Sequence, residues 1–219
     1  MKRNLITLLA LGLLLLTPLA CTRGVTPPGL PVASGTAQPV EKKLSNFSAI
    51  AGTKYMIAGI VTNYDNTSLD FSVREYGSYG RAIVYNYVFF DTGNEAYRTL
   101  LPTNEQAILQ KYALPICCNP TPENPVAGWL YYIVTTDTNG DGLLSAYDHF
   151  TIALSGVGGD GYVELIQDVE TDLGKTSPDA ATLFIFYRQD GKNYHAKIDL
   201  AAKAMVSTVE MPSFGEDVK

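Results

Sequence analysis

The stretch Asp137–Asp148, DTNGDGLLSAYD, sets oxygen-bearing side chains at alternate positions around two glycines. Calcium is a hard cation that takes roughly six to eight oxygen ligands. A loop of about twelve residues can deliver them from side chains at its first, third and fifth positions, a backbone carbonyl at the seventh, a water-bridged ninth and a closing carboxylate, with a sharp turn at a glycine in the sixth. Here the order is Asp137, Asn139, Asp141, Gly142, the carbonyl of Leu143, Ser145 and Asp148. Turns favour Asp, Asn and Gly for backbone reasons alone. A plain turn has no need of three oxygen side chains in alternation followed by a distal carboxylate, so calcium is the expected cofactor and these residues other than Gly142 are the six expected ligands.

The spacing resembles the calcium loops of the EF-hand and dockerin families, in which an aliphatic residue, here Leu144, packs beneath the loop. Asp148 closes the loop where an EF-hand has Glu, as dockerin-type loops do. The flanks differ from a helix–loop–helix hand. Trp129–Thr136 before the loop and His149–Leu154 after it are rich in β-branched and aromatic residues, the pattern of strands. Without paired helices there is no groove for calcium to open, so the loop reads as a staple between two strands.

Other chemistry is sparse. His149 and His195 have no partner at metal spacing, no G-x-S-x-G nucleophile turn occurs, and the run Gly156–Gly161 lacks the Lys-Ser/Thr of a phosphate loop. That run reads as a flexible hairpin turn. Adjacent Cys117 and Cys118 could form a strained vicinal disulfide, stay reduced or cross-link two chains. Tyr76 and Tyr79 in REYGSYGR could offer adaptable contacts. Carboxylates scattered along the chain leave a hydrolase as the alternative to a non-catalytic protein.

At the N-terminus, Lys2 and Arg3 precede an apolar run over Leu5–Leu16 and then Thr17-Pro18-Leu19-Ala20-Cys21. This is the layout of a signal peptide over residues 1–20, and the run is shorter than the 20 or so apolar residues of a bilayer span. Leu19-Ala20-Cys21 resembles the bacterial lipobox, with Pro18 where that pattern prefers Leu. The resemblance implies lipidation at Cys21, a membrane partner through the lipid and, with Thr22 rather than Asp next, an outer-membrane or cell-surface position. Residues 21–45, rich in Thr, Pro, Gly, Ala and Ser, suit a flexible tether. The formal charge is −6, and loss of Lys2 and Arg3 makes it more negative. Such a chain repels phosphate backbones, so no nucleic-acid partner is expected. An envelope protein or a polysaccharide is the expected partner.

Residues 46–212 read as a mainly β domain holding loop 137–148, with a loose tail at 213–219. Short apolar runs recur between Gly, Asp, Asn and Pro: Tyr55–Thr62, Ile83–Phe90, Trp129–Thr135, Phe150–Leu154, Tyr162–Ile166, Leu183–Tyr187, Tyr194–Leu200 and Met205–Met211. Asn104–Tyr112, with Asn104 as cap and Ala107, Ile108 and Lys111 on one face, reads as the one short helix. The strands group into about three units, starting at Met56, Leu130 and Leu183. Phe90-Asp91-Thr92-Gly93 and Ile198-Asp199-Leu200-Ala201 are similar to turns in extracytoplasmic β-propellers related to TolB. That resemblance implies antiparallel propeller-blade-like units in an incomplete propeller, or a β-sandwich.

Overall fold

A computed structural model describes residues 30–31, 41–62, 83–117 and 119–213. The signal segment, Cys21, most of the tether, REYGSYGR, Cys118 and the last six residues lie outside the described residues. The described chain is antiparallel β throughout, with no helix. A two-residue strand, β1 (Leu30–Pro31), comes first. A first group follows: β2 (Lys42–Leu44) and β3 (Ser48–Ala49), both paired to β4 (Tyr55–Thr62), then β5 (Val84–Asp91) and β6 (Ala96–Thr99). A second group runs β7 (Ala107–Leu114), β8 (Gly128–Val134), β10 (Phe150–Gly156) and β11 (Val163–Val169), and the short β9 (Leu143–Leu144) sits in the connection between β8 and β10. The third group is β12 (Thr171–Thr176), β13 (Thr182–Gln189), β14 (Lys192–Asp199) and β15 (Ala204–Glu210).

Each group is an up-and-down meander of four strand positions, one more than the three-strand units expected from sequence. The missing strand is the first of each group. Lys42–Leu44 is short and exposed, and Thr171–Thr176 is polar and bulged between Asp172 and Gly174. Ala107–Leu114 is the segment expected to be helical. Its alternation is broken by a register shift between Ile108 and Gln110, which leaves Leu109 unpaired and mimics helical spacing. Helix preference among these residue types is worth only tenths of a kcal/mol each. Pairing with β8 and burial of Ala107, Ile108 and Leu114 outweigh it. Asn104 caps no helix: its Oδ1 accepts from the Asn86 amide at 2.8 Å.

The cores explain how the groups sit together. Strand β8 is buried along its whole length, and its alternation divides between two clusters. Trp129, Tyr131 and Ile133 meet Ile57, Val61, Tyr87 and Phe89 of the first group. Leu130, Tyr132 and Val134 meet Leu183, Ile185, Tyr187, Ala196 and Ile198 of the third. The second group is therefore the middle layer, and a strand buried on both faces reads as a continuous apolar run rather than an alternating one. Asn86, 1% exposed, satisfies its amide at the carbonyls of Leu101 and Thr103 and accepts from the amides of Tyr87 and Leu101. It ties the chain after β6 to β5.

The glycine run Gly156–Gly161 does make the β10–β11 turn, but it is packed against the first group. A Cβ on Gly159 (φ +76°) would stand 2.4 Å from the Phe89 ring, one on Gly158 would stand 2.6 Å from Tyr55, and Trp129 Nε1 donates to the Val157 carbonyl at 3.0 Å. Gly159→Ala should lower stability to urea by at least about 2 kcal/mol, because strain and overpacking add. Gly191→Ala, at φ +69° with open space around it, should cost about 1 kcal/mol. Equal losses would show that backbone conformation alone sets the requirement.

Candidate metal centre

The middle layer holds the loop at both ends: β8 enters it and β10 leaves it. Between them the backbone is shaped by the loop's own carboxylates. Asp137 Oδ1 accepts from the Gly140 amide at 2.7 Å and Oδ2 from the Gly142 amide at 2.9 Å. Asn139 Oδ1 accepts from the Asp141 amide at 2.8 Å, and Asp141 Oδ1 from the Leu143 amide at 2.8 Å. Asn139 Nδ2 donates to Asp141 Oδ2 at 3.3 Å. Gly140 and Gly142 take positive φ of 76° and 82°, conformations that glycine adopts without penalty. Alternate oxygen side chains thus fold the first half of the loop by side-chain-to-backbone bonds.

The second half is buried. Asp148 is 2% exposed, as is Ser145. Asp148 Oδ1 accepts from the amides of Thr138 (2.7 Å) and Asn139 (3.2 Å) and from the Thr138 hydroxyl (3.2 Å). Its Oδ2 accepts from the Ser145 amide at 2.8 Å, with the Ser145 hydroxyl at 3.5 Å. Leu144 packs into the core shared with the third group, as an aliphatic residue at that place should. Strand β9 pairs with β1, Leu30 opposite Leu144 and Pro31 opposite Leu143. His149, exposed, donates its amide to the Thr138 hydroxyl.

The donor chemistry suits calcium, since all six expected ligands present oxygen. The fit is uneven. Among the described residues no three Asp, Glu, His or Cys side chains stand together as an ion-holding group. Asp137, Asn139 and Asp141 are linked through short turns, and Ser145 is bonded to Asp148. A carboxylate has about four lone-pair directions, and Asp148 faces five donors. It closes the loop onto itself, a role that the spacing alone does not show.

Other features surround the first group. A cavity of ≈ 130 Å³ is lined by Tyr55, Phe89, Asp91, Tyr97, Arg98 and Asp160, among others. Asp91 pairs with Lys54 at 2.7 Å, and that ammonium holds its carboxyl below the usual carboxylate range. Phe47, Phe90 and Tyr97 form an aromatic cluster with centroids 4.8–6.4 Å apart, and Tyr97 is 68% exposed. Sequence reading missed this cluster because its members come from three segments. Cys117 is exposed. His195 lies against the Phe186 ring.

No family model matches the chain, and no curated protein does. Among solved structures it is similar to the β-propeller domain of the Trilobed protease from Pyrococcus furiosus, described as having an open velcro topology. The identity is 11% and the TM-score 0.38, over 79% of this chain and 44% of that one. It is also similar to a luciferin-regenerating enzyme, at 9% identity and a TM-score of 0.41, over 81% of this chain and 50% of that one. The chain spans about half the length of these structures.

Asp148→Ala removes the acceptor for three backbone amides in a buried place. It should destabilise the protein by about 2–4 kcal/mol in chelator as well as in calcium, measured by urea unfolding. Exposed Asp141→Ala in chelator should cost under about 1 kcal/mol. A chelator-insensitive loss confined to Asp148 would establish its role as the loop's internal clasp.

Proposed function

We propose that this protein is an exported, lipid-anchored, calcium-stabilised β protein with a non-catalytic binding or structural role at the cell envelope. The observation that carries the calcium reading is the set of turns made by Asp137, Asn139 and Asp141. These bonds fix the backbone while leaving lone pairs on each side chain for an ion. In this reading Asp137, Asn139, Asp141 and the Leu143 carbonyl form the shell, Ser145 acts through water, and Asp148 closes it through Oδ2, the less committed of its oxygens. Extracellular sites of this chemistry work at roughly 10⁻⁴ to 10⁻³ M, so the ion stabilises the strand-to-strand connection by mass action. The three meanders packed face to face are read as an incomplete propeller.

The cluster of half-buried Phe47 and Phe90 with exposed Tyr97 supports binding, because exposed aromatic groups supply rigid contact area. One observation favours the alternative, a hydrolase: Asp91 and Asp160 line the same cavity. Asp91, however, is neutralised by Lys54, and its lowered pKa is the reverse of what a general acid needs. The binding reading therefore stands first, with an envelope protein or polysaccharide as partner.

Adding millimolar calcium to chelator-treated protein should raise the thermal midpoint by several degrees. The gain should be abolished in the double variant Asp137→Ala/Asp141→Ala. An unchanged midpoint in the wild type would remove calcium from the proposal. Anchoring is tested separately, by mass spectrometry of the protein from envelope fractions. A diacylglyceryl group on Cys21 is expected, with loss of membrane association in Cys21→Ser. An intact leader or an unmodified Cys21 would overturn it.

A further inference from the structure

The first strands of the three groups, β2, β7 and β12, each place a lysine on an aromatic ring. Lys42 Nζ lies 4.4 Å from the Tyr85 centroid and donates to the Asn104 carbonyl. Lys175 lies 4.0 Å from Tyr112 and 5.1 Å from Tyr132, at the seam between the second and third groups, and pairs with Asp172 at 2.8 Å. Lys111 lies at the seam between the first and second groups, 4.2 Å from the Trp129 ring and 4.7 Å from the Tyr87 ring. The two seam lysines thus stand in like surroundings, each over two rings. Lys175 has a carboxylate. The Lys111 ammonium has no hydrogen bond and no ion pair with any described residue.

Such a cation is costly. Ring faces attract an ammonium less strongly than removal from water disfavours it, and Lys111 is half-buried. Desolvation accordingly pushes the Lys111 amine down to about 7. What the seam lacks is what Asp172 supplies to Lys175. We propose that Lys111, with the rings of Tyr87 and Trp129, forms a binding site for a small organic carboxylate at the seam between the first and second strand groups. The carboxylate takes the place that Asp172 has beside Lys175, and its carbon substituent lies along the ring edges. A carboxylate is favoured over phosphate because the template within the molecule is a carboxylate and the rings reward an apolar substituent. This site is separate from the calcium loop and does not depend on it.

Binding of an anion follows the charged form of the amine, which is populated below about pH 7. The tyrosines packed there do not change charge between pH 6 and 8. Burial raises Tyr87 on β5, and also Tyr131, which is opposite Lys111 on β8. Tyr162, beyond the β10–β11 turn, is raised too, and Asp160 is the carboxylate of that turn. Trp129 is the one tryptophan of the chain, so its emission reports the site directly.

The test titrates sodium acetate into the full chain against sodium chloride at constant ionic strength, following tryptophan fluorescence. A saturable change with acetate is expected, weakening about tenfold between pH 6 and pH 8 as the amine loses its proton. Lys111→Met, which replaces an uncompensated charge by an apolar chain of similar length, should fold and lose the response. Lys111→Arg should keep it, with no dependence on pH across that range. An equal response to chloride, a response that survives in Lys111→Met, or none in the wild type would overturn the proposal. Lys175→Met should leave the acetate response unchanged, and its loss there would place the site at the other seam and overturn the assignment.

Discussion

Burial of one strand on both of its faces organises this molecule. Strand β8 sends Trp129, Tyr131 and Ile133 into one core and Leu130, Tyr132 and Val134 into the other. Each fully buried aromatic or branched side chain contributes about 1.5–3 kcal/mol relative to exposure, so the largest apolar contribution per residue falls on this strand. The loop Asp137–Asp148 leaves from its end, Lys111 and Lys175 flank it on opposite faces, and the glycine turn closes over Trp129. A change in the packing of β8 would reach all three.

Much of this was legible in the sequence. The long apolar strands were visible as runs bounded by turn residues, since β-branched and aromatic residues leave a plain signal. The first strand of each group was not. Thr171–Thr176 is polar and half exposed, and it holds its place through pairing with β13 rather than through its own apolar residues. Ala107–Leu114 carries good helix formers and a bulge, so both propensity and period pointed the wrong way. Tertiary pairing won because a buried strand position offers a ladder partner and a core contact together, each worth more than the local preference.

The loop was legible in its residue types but not in the division of labour among them. Spacing gives Asp148 the same standing as Asp137 and Asp141. Burial and donor count separate them, because Asp148 receives five donors while the other two shape turns at the surface. Burial is a property of the surroundings, which the residues of the loop do not encode. The seam lysines were hidden for a related reason. The local spacing puts Lys111 on the face of a helix, and its rings come from β5 and β8, some twenty residues to either side in the sequence.

The meander arrangement also bears on how the chain finds its fold. Within each group every pairing joins strands that are neighbours or next neighbours along the chain, and the ladder linking the first two groups is the single pair Val84 opposite Ile108. Pairing between chain neighbours keeps loop-closure entropy smaller than crossovers between distant strands would. Each group can form its hydrogen bonds alone, but none can cover its apolar face without a neighbour. Order along the chain is thereby coupled to order in time: as the polypeptide emerges, the second group waits with one face exposed until the third is complete.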